Sequence, residues 1–310
     1  MIAAAGRFAP SPTGELHLGN LRTALVAWLS ARSQGLGFVV RMEDLDLITS
    51  SPVHESSQLS ALAAMGLDWD GDVVRQSERF ARYEDAIAVL TARGHTYPCY
   101  CTRREIREAS SAPQGALAAD GTYPGTCRHL DDALRSRYAA EGRRPALRLF
   151  ADDAVVEVVD EIHGLVRVVV DDVVLRRNDG VPAYNLAVVV DDAAQDVAEV
   201  VRGDDLLSST PRHVLLQGLL GLPTPRYRHV SLVLGADGVR LAKRHGAVTP
   251  GQLAEMGIGT AQMLGLLASS LGLAEPGEVV TAHGLIERFR LDVLPREPWV
   301  LPPNLQRSVS

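Results

Sequence analysis

The segment from Arg7 to Asn20, RFAPSPTGELHLGN, combines residue types that can hold a phosphate group. A short apolar stretch leads through a loop of proline and glycine into a segment of helical periodicity, and His17 lies at the junction. At such a junction, backbone N–H groups, the positive end of the helix dipole and an imidazole can approach a phosphate. Gly14 and Gly19 keep side chains away from this loop. The segment therefore predicts a nucleotide-phosphate site at the beginning of a helix.

The residues after this loop predict the start of a parallel α/β sheet. Apolar residues recur at i, i+3, i+4, i+7 and i+8, which places them on one helix face; they are Leu21, Ala24, Leu25, Trp28 and Leu29. A strand-like run, FVVRME, begins at Phe38. A strand, a helix and a second parallel strand in this order place ligands at the carboxyl ends of the strands.

A second basic loop stands late in the chain. A strand is predicted at His229–Leu234, the turn GADG follows it, and the run RLAKR occupies residues 240–244. Alone, such a run is typical of a basic surface loop. Paired with the phosphate site of the first loop, it predicts a cation, Lys243, on the opposite side of the same nucleotide.

PSPTG, HLGN and RLAKR together resemble the two ATP-binding signatures of class I aminoacyl-tRNA synthetases, in the version found in glutamyl enzymes. HLGN stands for the "HIGH" element and RLAKR for the KMSKS loop, with Arg240 in place of the first lysine and Ala242 in place of a serine. The resemblance extends from residue 6 to about residue 250. It implies a class I synthetase-type Rossmann fold with a parallel sheet.

The resemblance implies that ATP, with Mg²⁺, is a substrate. The carboxylate of an amino acid would attack the α-phosphate, pyrophosphate would leave, and His17 and Lys243 would be the catalytic residues that stabilise the phosphate charge. The implied ATP-binding residues are Ala9, Pro10, His17, Gly19, Asn20, Arg240 and Lys243.

Charged residues at predicted strand ends indicate a dicarboxylic amino acid. Its side-chain carboxylate needs a cationic fork, which arginine supplies best, and its ammonium group needs a carboxylate. Arg7, Glu43 and Arg202 each end a predicted strand, and Tyr184 opens another, AYNLAVVV. The resemblance implies that Arg7 and Arg202 clamp the side chain of L-glutamate and that Glu43 binds its ammonium group. Ser11 and Tyr184 complete the implied pocket.

Three cysteines indicate a metal site, because a cluster of this kind in a chain without a disulfide framework is more often a metal centre. Cys99 and Cys101 form a C-x-C pair and Cys127 follows. Three thiolates leave a tetrahedral Zn²⁺ one ligand short, and Tyr123, His129 and His95 are near enough in sequence to supply it. General chemistry favours a histidine, whereas the resemblance implies Tyr123. The expectation is one structural zinc per chain, and the alternative is three free buried thiols.

The pattern of elements predicts four segments. Residues 1–95 form the first half of the Rossmann catalytic domain, and residues 96–178 form an inserted zinc-containing α+β subdomain that binds the acceptor. Residues 179–248 form the second half with the KMSKS-like loop, and residues 249–310 form a short C-terminal helical element. That last segment is too short for the anticodon-binding domains of a full glutamyl enzyme, so no anticodon-binding domain is expected.

The shortness of this last segment makes the chain resemble truncated paralogues of the glutamyl enzymes. That resemblance implies a particular acceptor. The paralogues imply that glutamate is activated to glutamyl-adenylate without tRNA. The glutamate is then transferred to the cyclopentenediol of queuosine, at the wobble position of the tRNA(Asp) anticodon stem-loop. One alternative is a catalytic fragment that charges a tRNA 3′ end, and another is a non-catalytic paralogue that binds RNA or glutamate.

Bulk charge does not indicate an RNA partner, because 31 basic and 38 acidic residues give a net charge of −7. RNA contacts must therefore come from local patches. The candidate patches are Arg103, Arg104 and Arg107, then Arg143, Arg144 and Arg148, and finally Arg226 and Arg228. No apolar run has the length of a membrane span and no export signal is visible, so a cytoplasmic protein without membrane contact is expected. The protein is also expected to be a monomer.

Overall fold

The structure is a computed structural model that describes residues 4–110, 123–235, 237–239, 241 and 248–305, without the side chains of residues 107–110 and 304. The strands of these residues are β1 (Ala5–Phe8), β2 (Gly37–Met42), β3 (Val74–Arg75), β4 (Thr96–Cys99), β5 (Ala146–Leu149), β6 (Val155–Asp160), β7 (Gly164–Val169), β8 (Val174–Arg176), β9 (Glu199–Gly203), β10 (Arg226–Val230), β11 (Val233–Leu234) and β12 (Trp299–Val300).

The helices of the described residues are α1 (Leu18–Ser33), α2 (Pro52–Ala64), α3 (Phe80–Ala92), α4 (Arg103–Ser110), α5 (Asp132–Ala140), α6 (Tyr184–Ala194), α7 (Thr210–Leu220), α8 (Pro250–Glu255), α9 (Thr260–Ser270) and α10 (Ala282–Ile286). Short 3₁₀ helices occupy Gln76–Glu78, Asp204–Ser209, Leu291–Val293 and Pro303–Leu305. None of these helices is long and apolar enough to cross a membrane.

A central sheet has the strand order β3-β2-β1-β9-β10-β6-β7. Backbone hydrogen bonds join its two halves, from the N–H of Ala5 to the carbonyl of Asp196 at 3.0 Å and from the N–H of Ala198 to the carbonyl of Ala5 at 2.8 Å. All neighbours are parallel except β7, which is antiparallel to β6 at the edge. The predicted parallel sheet is thus confirmed, and its carboxyl edge gathers the ends of β1, β2 and β9.

Helix α1 is buried on more than the one face that its periodicity predicts. Trp28, Ala27 and Val26, which point in successive directions around the helix, are all buried. The helix contacts β1, β2 and β9 on one side and α9 and α10 on the other. A helix that is apolar on every side belongs in a core between layers. The C-terminal segment therefore covers the outer face of the helix that begins at the phosphate loop.

The predicted strand AYNLAVVV is wrong, because these residues begin helix α6. Continuous apolar character does not separate a buried strand from a buried helix, since neither shows a polar face. Here the helix packs on α3 and α7 and buries Asp191 and Asp192 as well as Val188 and Val189. Tyr184 consequently lies at the first turn of a helix rather than at the start of a strand.

The segment 96–178 contains two kinds of structure. An antiparallel sheet of order β4-β5-β8 carries the cysteine pair at its edge. The hairpin of β6 and β7, in contrast, extends the central sheet, with Asp160 in register with Tyr227 of β10. The insertion is thereby attached to the catalytic sheet through continuous strand pairing as well as through its two chain connections.

Candidate active site

A cleft of about 420 Å³ opens at the carboxyl ends of β1, β2 and β9 and at the beginning of α1. It brings together ten of the residues predicted from the sequence, which are Arg7, Ala9, Pro10, Ser11, His17, Gly19, Asn20, Glu43, Tyr184 and Arg202. The other two, Arg240 and Lys243, lie outside the described residues. Leu241, which stands between them in sequence, lines the same cleft. The residues predicted to bind glutamate and those predicted to bind the nucleotide thus line the same cleft.

His17 is the N-cap of α1. Its Nδ1 accepts hydrogen bonds from the backbone N–H groups of Gly19 at 3.1 Å and Asn20 at 3.4 Å, and the Asn20 side chain accepts from the backbone N–H of His17. Two of the helix-terminal N–H groups are therefore occupied by the imidazole. The acceptor role of Nδ1 leaves the ring proton on Nε2. Phosphate contact from this helix end thus depends on the Nε2–H group more than on the first backbone amides.

Gly19 allows this cap for a steric reason. A Cβ atom at position 19 would lie 2.9 Å from Cε1 and 3.1 Å from Nδ1 of His17. Any larger residue would push the imidazole out of its capping position.

Gln58 fixes the proline-glycine loop and was missed by the sequence analysis. It is buried in α2, and its amide donates to the carbonyl oxygens of Ser11 at 3.0 Å and Gly14 at 2.7 Å. The sequence feature that could have identified Gln58 is its position four residues before Leu62, which places both on the buried face of that helix. A polar residue on an apolar helix face needs a partner, and here the partner is the loop.

Below the cleft, two arginines share one carboxylate. Oδ1 of Asp192 accepts from Nε of Arg7 at 3.5 Å and from Nη1 of Arg41 at 2.8 Å. Nη2 of Arg41 donates to Oε1 of Glu43 at 3.4 Å. Burial acts to raise the pKa of Asp192, but Arg41 and Arg7 outweigh it and hold the pKa below its ordinary value. Arg41 and Asp192 were not predicted as site residues, although they orient Arg7 and Glu43, which were.

The same network continues through Asp191. Its carboxylate accepts from Nε of Arg79 at 2.6 Å, from the hydroxyl of Tyr83 at 2.6 Å and from the amide of Gln76 at 3.1 Å. The connected group contains three arginines, Arg7, Arg41 and Arg79, and three carboxylates, Glu43, Asp191 and Asp192. Three positive and three negative charges balance, so this buried network adds no net charge to the floor of the cleft.

Glu43 faces the cleft from the end of β2, with only 11% of its side chain exposed. Burial raises the pKa of Glu43 above its ordinary value of 4.5, although Arg41 and Arg7 act in the opposite direction. Its backbone N–H donates to the carbonyl of Pro10 at 2.9 Å. The carboxylate is thereby held against the phosphate loop at a point where it can receive an ammonium group.

Arg202 lies on the opposite wall and is 5% exposed. Its Nε donates to Nε2 of His229 at 3.0 Å and its Nη2 donates to Oγ1 of Thr210 at 2.8 Å. Its Nη1 lies 3.4 Å from Nδ1 of His213. The guanidinium is thus fixed from three directions while it lines the cleft.

The cysteine cluster forms a compact group as predicted. The ligand atoms of Cys99, Cys101 and Cys127 all lie within 4.8 Å of one another, and no histidine of the described residues belongs to the group. The hydroxyl of Tyr123 lies 3.4 Å from Sγ of Cys99 and 3.8 Å from Sγ of Cys101. Three sulfurs and one oxygen at these separations fit the donor number and size of a tetrahedral Zn²⁺ site. The geometry therefore favours Tyr123 over His129 as the fourth ligand.

A second cavity, of about 730 Å³, adjoins the cleft. The two share Ser11, Glu43 and Tyr184 as lining residues. The insertion forms the opposite wall, and the cavity is lined by the arginines Arg103, Arg143, Arg144, Arg148 and Arg177. A cavity rich in arginine thus opens directly onto the predicted amino-acid pocket, although Arg143 pairs with Glu105 and Arg177 pairs with Asp179.

The predicted basic patches have different surroundings. Arg143, Arg144 and Arg148 all line the second cavity, as does Arg103. Arg104 does not line it, and the side chain of Arg107 is not described. Arg226 and Arg228 are engaged elsewhere, because both pair with the buried carboxylate of Glu199. Arg228 is buried, whereas 45% of the Arg226 side chain is exposed, and neither residue lines the cleft or the second cavity.

Comparison with known proteins agrees with this arrangement. The family described as tRNA synthetases class I (E and Q), catalytic domain, matches residues 4–303. The chain belongs to this family. It is therefore an enzyme of the ligase type, with the class I synthetase catalytic fold.

Individual relatives carry two different names. A glutamyl-Q tRNA(Asp) synthetase of Nocardia farcinica is 58% identical over 305 residues, which is 98% of this chain and 94% of that protein. A protein of Alkalilimnicola ehrlichii named glutamate–tRNA ligase 2 is 43% identical over 309 residues, which is 94% of this chain and 64% of that protein. The crystal structure of a glutamate tRNA ligase from Elizabethkingia meningosepticum in complex with its amino acid superposes with a TM-score of 0.82 at 28% identity, and covers 97% of this chain and 68% of that chain.

Proposed function

We propose that this class I synthetase activates L-glutamate with ATP in the absence of tRNA. It then transfers the glutamyl group to the cyclopentenediol of queuosine at the wobble position of tRNA(Asp). The observation that carries this proposal is the junction of two cavities at Ser11, Glu43 and Tyr184. One cavity has the groups for a dicarboxylic amino acid and a nucleotide, and the other has the charge for a nucleic acid. The active unit is proposed to be a monomer.

In the activation step, the charged groups of the cleft orient the amino acid. Glu43 receives the ammonium group, and Arg7 and Arg202 receive the side-chain carboxylate. The α-carboxylate then remains for attack on the α-phosphorus of ATP, which forms glutamyl-adenylate and releases pyrophosphate. Ser11 and Tyr184 close the pocket at the junction with the second cavity.

The phosphates of ATP lie, in this proposal, along the loop that contains Ala9 and Pro10 and reach the beginning of α1. His17 offers its Nε2–H to a phosphate oxygen while its Nδ1 holds the helix end in place. Mg²⁺ enters as part of the nucleotide substrate and neutralises phosphate charge. Arg240 and Lys243 would act from the late loop, as expected from their sequence motif.

In the transfer step, the second cavity receives the modified nucleoside. A hydroxyl of the cyclopentenediol attacks the carbonyl carbon of the adenylate and forms an ester bond, its proton passes to water, and AMP leaves with the electron pair of the broken acyl–phosphate C–O bond. The arginines of this cavity provide phosphate contacts for a splayed loop nucleotide. Three relatives at 46–58% identity are named glutamyl-Q tRNA(Asp) synthetase, and these names support queuosine as the acceptor.

The deciding experiment measures transfer of radiolabelled glutamate to purified tRNA(Asp) with and without queuosine. We expect incorporation only into the queuosine-containing tRNA, together with glutamate-dependent ATP–pyrophosphate exchange in the absence of any tRNA. Equal incorporation into both tRNA forms would refute the proposed acceptor. Absence of exchange without tRNA would refute independent activation.

Charging of a tRNA 3′ end is the second candidate. The 43% identity to a glutamate–tRNA ligase and the TM-score of 0.82 to another favour it. Incubation with unmodified tRNA(Glu) discriminates between the two functions, because a 3′-end charging enzyme needs no queuosine. Glutamate incorporated into that tRNA would support the second candidate.

A further inference from the structure

Arg202 differs from the other buried arginines of the site in the chemical type of its partners. Arg7 and Arg41 both contact the carboxylate of Asp192. Within the described residues, Arg202 contacts neutral acceptors instead: a hydroxyl, two imidazole nitrogens and the carbonyl of Leu206. These contacts use four of its five N–H groups, which leaves one N–H of Nη1 for a ligand.

The hydrogen bonds around His229 determine its protonation. Its Nε2 accepts from Nε of Arg202 at 3.0 Å, so the ring proton must lie on Nδ1. Nδ1 lies 2.7 Å from Oδ2 of Asp160 and donates to it. Burial lowers the pKa of His229 below its ordinary value, which favours the neutral ring, although Asp160 acts to raise it.

Asp160 is in turn held by backbone groups. Its Oδ1 accepts from the N–H groups of Ile162 at 3.0 Å and His163 at 2.9 Å, and its Oδ2 also accepts from the backbone N–H of His229 at 3.1 Å. Each of these contacts is with a donor. It therefore holds the Nδ1–H tautomer of His229 firmly, one imidazole ring away from the arginine.

We propose that Asp160 and His229 are positioning residues that fix the Arg202 guanidinium and keep it without a direct carboxylate partner, so that the side-chain carboxylate of the substrate becomes that partner. The inference rests on the proposed function, since it concerns the same amino-acid pocket. Arg7 already shares the carboxylate of Asp192 with Arg41, whereas Arg202 has no carboxylate partner within the described residues, so Arg202 is the arm of the clamp whose charge the substrate must balance. A carboxylate in place of the imidazole would occupy the fork and weaken the selection of an acidic amino acid.

Substitution of Asp160 by asparagine tests the tautomer. An amide N–H facing Nδ1 would move the ring proton to Nε2, where it would oppose the N–H of Arg202. For Asp160→Asn we expect the KM for glutamate to rise at least about tenfold in tRNA-free ATP–pyrophosphate exchange, while the KM for ATP changes less than about twofold. Circular dichroism and thermal unfolding report whether the variant is folded.

A pair of substitutions at His229 gives an independent test if Asp160→Asn does not fold. His229→Gln keeps an acceptor for Nε of Arg202 and should retain most of the affinity for glutamate, whereas His229→Leu removes the acceptor and should not. Glu199→Gln is the matched control, because Glu199 is a buried carboxylate at the other end of β9 and lines neither cavity. It should lower the melting temperature and leave both KM values unchanged.

The outcomes separate this inference from the proposed function. Wild-type protein without glutamate-dependent exchange would refute the proposed function itself. Active wild-type protein, with unchanged glutamate KM in Asp160→Asn and His229→Leu, would overturn only the positioning role. Equal increases in the KM for glutamate and for ATP would also overturn it, because they would indicate a general structural defect.

Discussion

Nη1 of Arg41 donates to Oδ1 of Asp192 at 2.8 Å, and both side chains are buried beneath the amino-acid pocket. The contact joins a residue of β2 to a residue of α6. Because the same Asp192 oxygen also receives Nε of Arg7, the pair positions one of the two arginines proposed to bind the substrate. Loss of the carboxylate would leave two guanidinium groups facing each other in the protein interior.

Asp192→Asn is accordingly expected to lower the free energy of unfolding by about 3–5 kcal/mol, the usual cost of an uncompensated buried charge. The KM for glutamate should rise as well, because Arg7 loses its orientation. Urea denaturation and ATP–pyrophosphate exchange measure the two effects. Asp153→Asn is the control, since Asp153 is 70% exposed in its ion pair with Arg128, and it should leave stability almost unchanged. Equal destabilisation by the two substitutions would contradict the prediction.

The roles of His17 as helix cap and as phosphate ligand can be separated. His17→Ala removes both and should cost about 0.5–2 kcal/mol of stability through loss of the cap. His17→Asn keeps a good capping side chain but has no Nε2–H group, so it should be nearly as stable as wild type. Both variants should lower the exchange rate, by about 100-fold if the imidazole donates to a transition-state oxygen. Wild-type activity in His17→Asn would show that the residue is only a cap.

Strand ends were the part of the site that the sequence could predict. Arg7, Glu43 and Arg202 each follow or close a β-type run, and parallel strands bring their carboxyl ends to one edge. The structure places all three in one cleft. Tyr184 lines the same cleft although the sequence predicted it in a strand. It is the first residue of its segment, and that position is the same whether the segment forms a strand or a helix.

The supporting network could not be predicted in the same way. Asp192 lies 185 residues from Arg7 and 151 residues from Arg41 in sequence. No local pattern connects residues that far apart, and an aspartate after an apolar run also suits an exposed helix end. His229 was predicted only as a strand residue, because its contact with Asp160 depends on the pairing of β6 with β10.

The fourth zinc ligand is testable by metal content. Tyr123→Phe should lower the zinc bound after dialysis against a chelator, because the phenolic oxygen is the donor expected to complete the three sulfurs. His129→Ala should retain about one zinc per chain, as the proposed tetrahedral site requires. Inductively coupled plasma mass spectrometry measures both variants beside wild type. Loss of zinc from His129→Ala with retention in Tyr123→Phe would reverse the assignment.

The basic cavity is expected to act in transfer and not in activation. Arg103 and Arg144 are exposed residues of its lining, one before and one after Cys127 in sequence. The double substitution of both by alanine should reduce glutamate transfer to tRNA(Asp) and leave tRNA-free exchange unchanged. Each lost phosphate contact should also reduce the slope of log affinity against log salt by about 0.7–0.9.

The control for that experiment is a double substitution of Arg82 and Arg290, which line neither the cleft nor the basic cavity. It removes the same total charge, so it tests whether net charge alone controls RNA affinity. An equal loss of tRNA affinity in the control would remove the basic cavity from RNA binding.

Glu43 links substrate binding to pH. Burial raises its pKa above 4.5, and only the ionised carboxylate attracts the ammonium group of the substrate. The KM for glutamate should therefore increase as pH falls toward the raised pKa, at a higher pH than an ordinary glutamate would require. Exchange assays from pH 5 to pH 8 measure this limb, and Glu43→Gln should remove it along with most of the affinity. A KM that is independent of pH over this range would contradict the assignment.

Protonation of Glu43 should affect the stability of the fold in the opposite sense to substrate binding: it weakens the binding of glutamate but stabilises the folded protein. A folded-state pKa above the unfolded value means that the native protein binds the proton more tightly, so protonation of Glu43 stabilises the fold. That contribution is complete below 4.5 and is lost as pH rises through the raised pKa. At neutral pH the ionised carboxylate is thus held at a cost in stability that Arg41 and Arg7 reduce. The ammonium group of bound glutamate adds a third positive charge near Glu43, besides Arg41 and Arg7. The melting temperature should therefore rise on addition of glutamate at pH 7.5, and it should rise much less in Glu43→Gln.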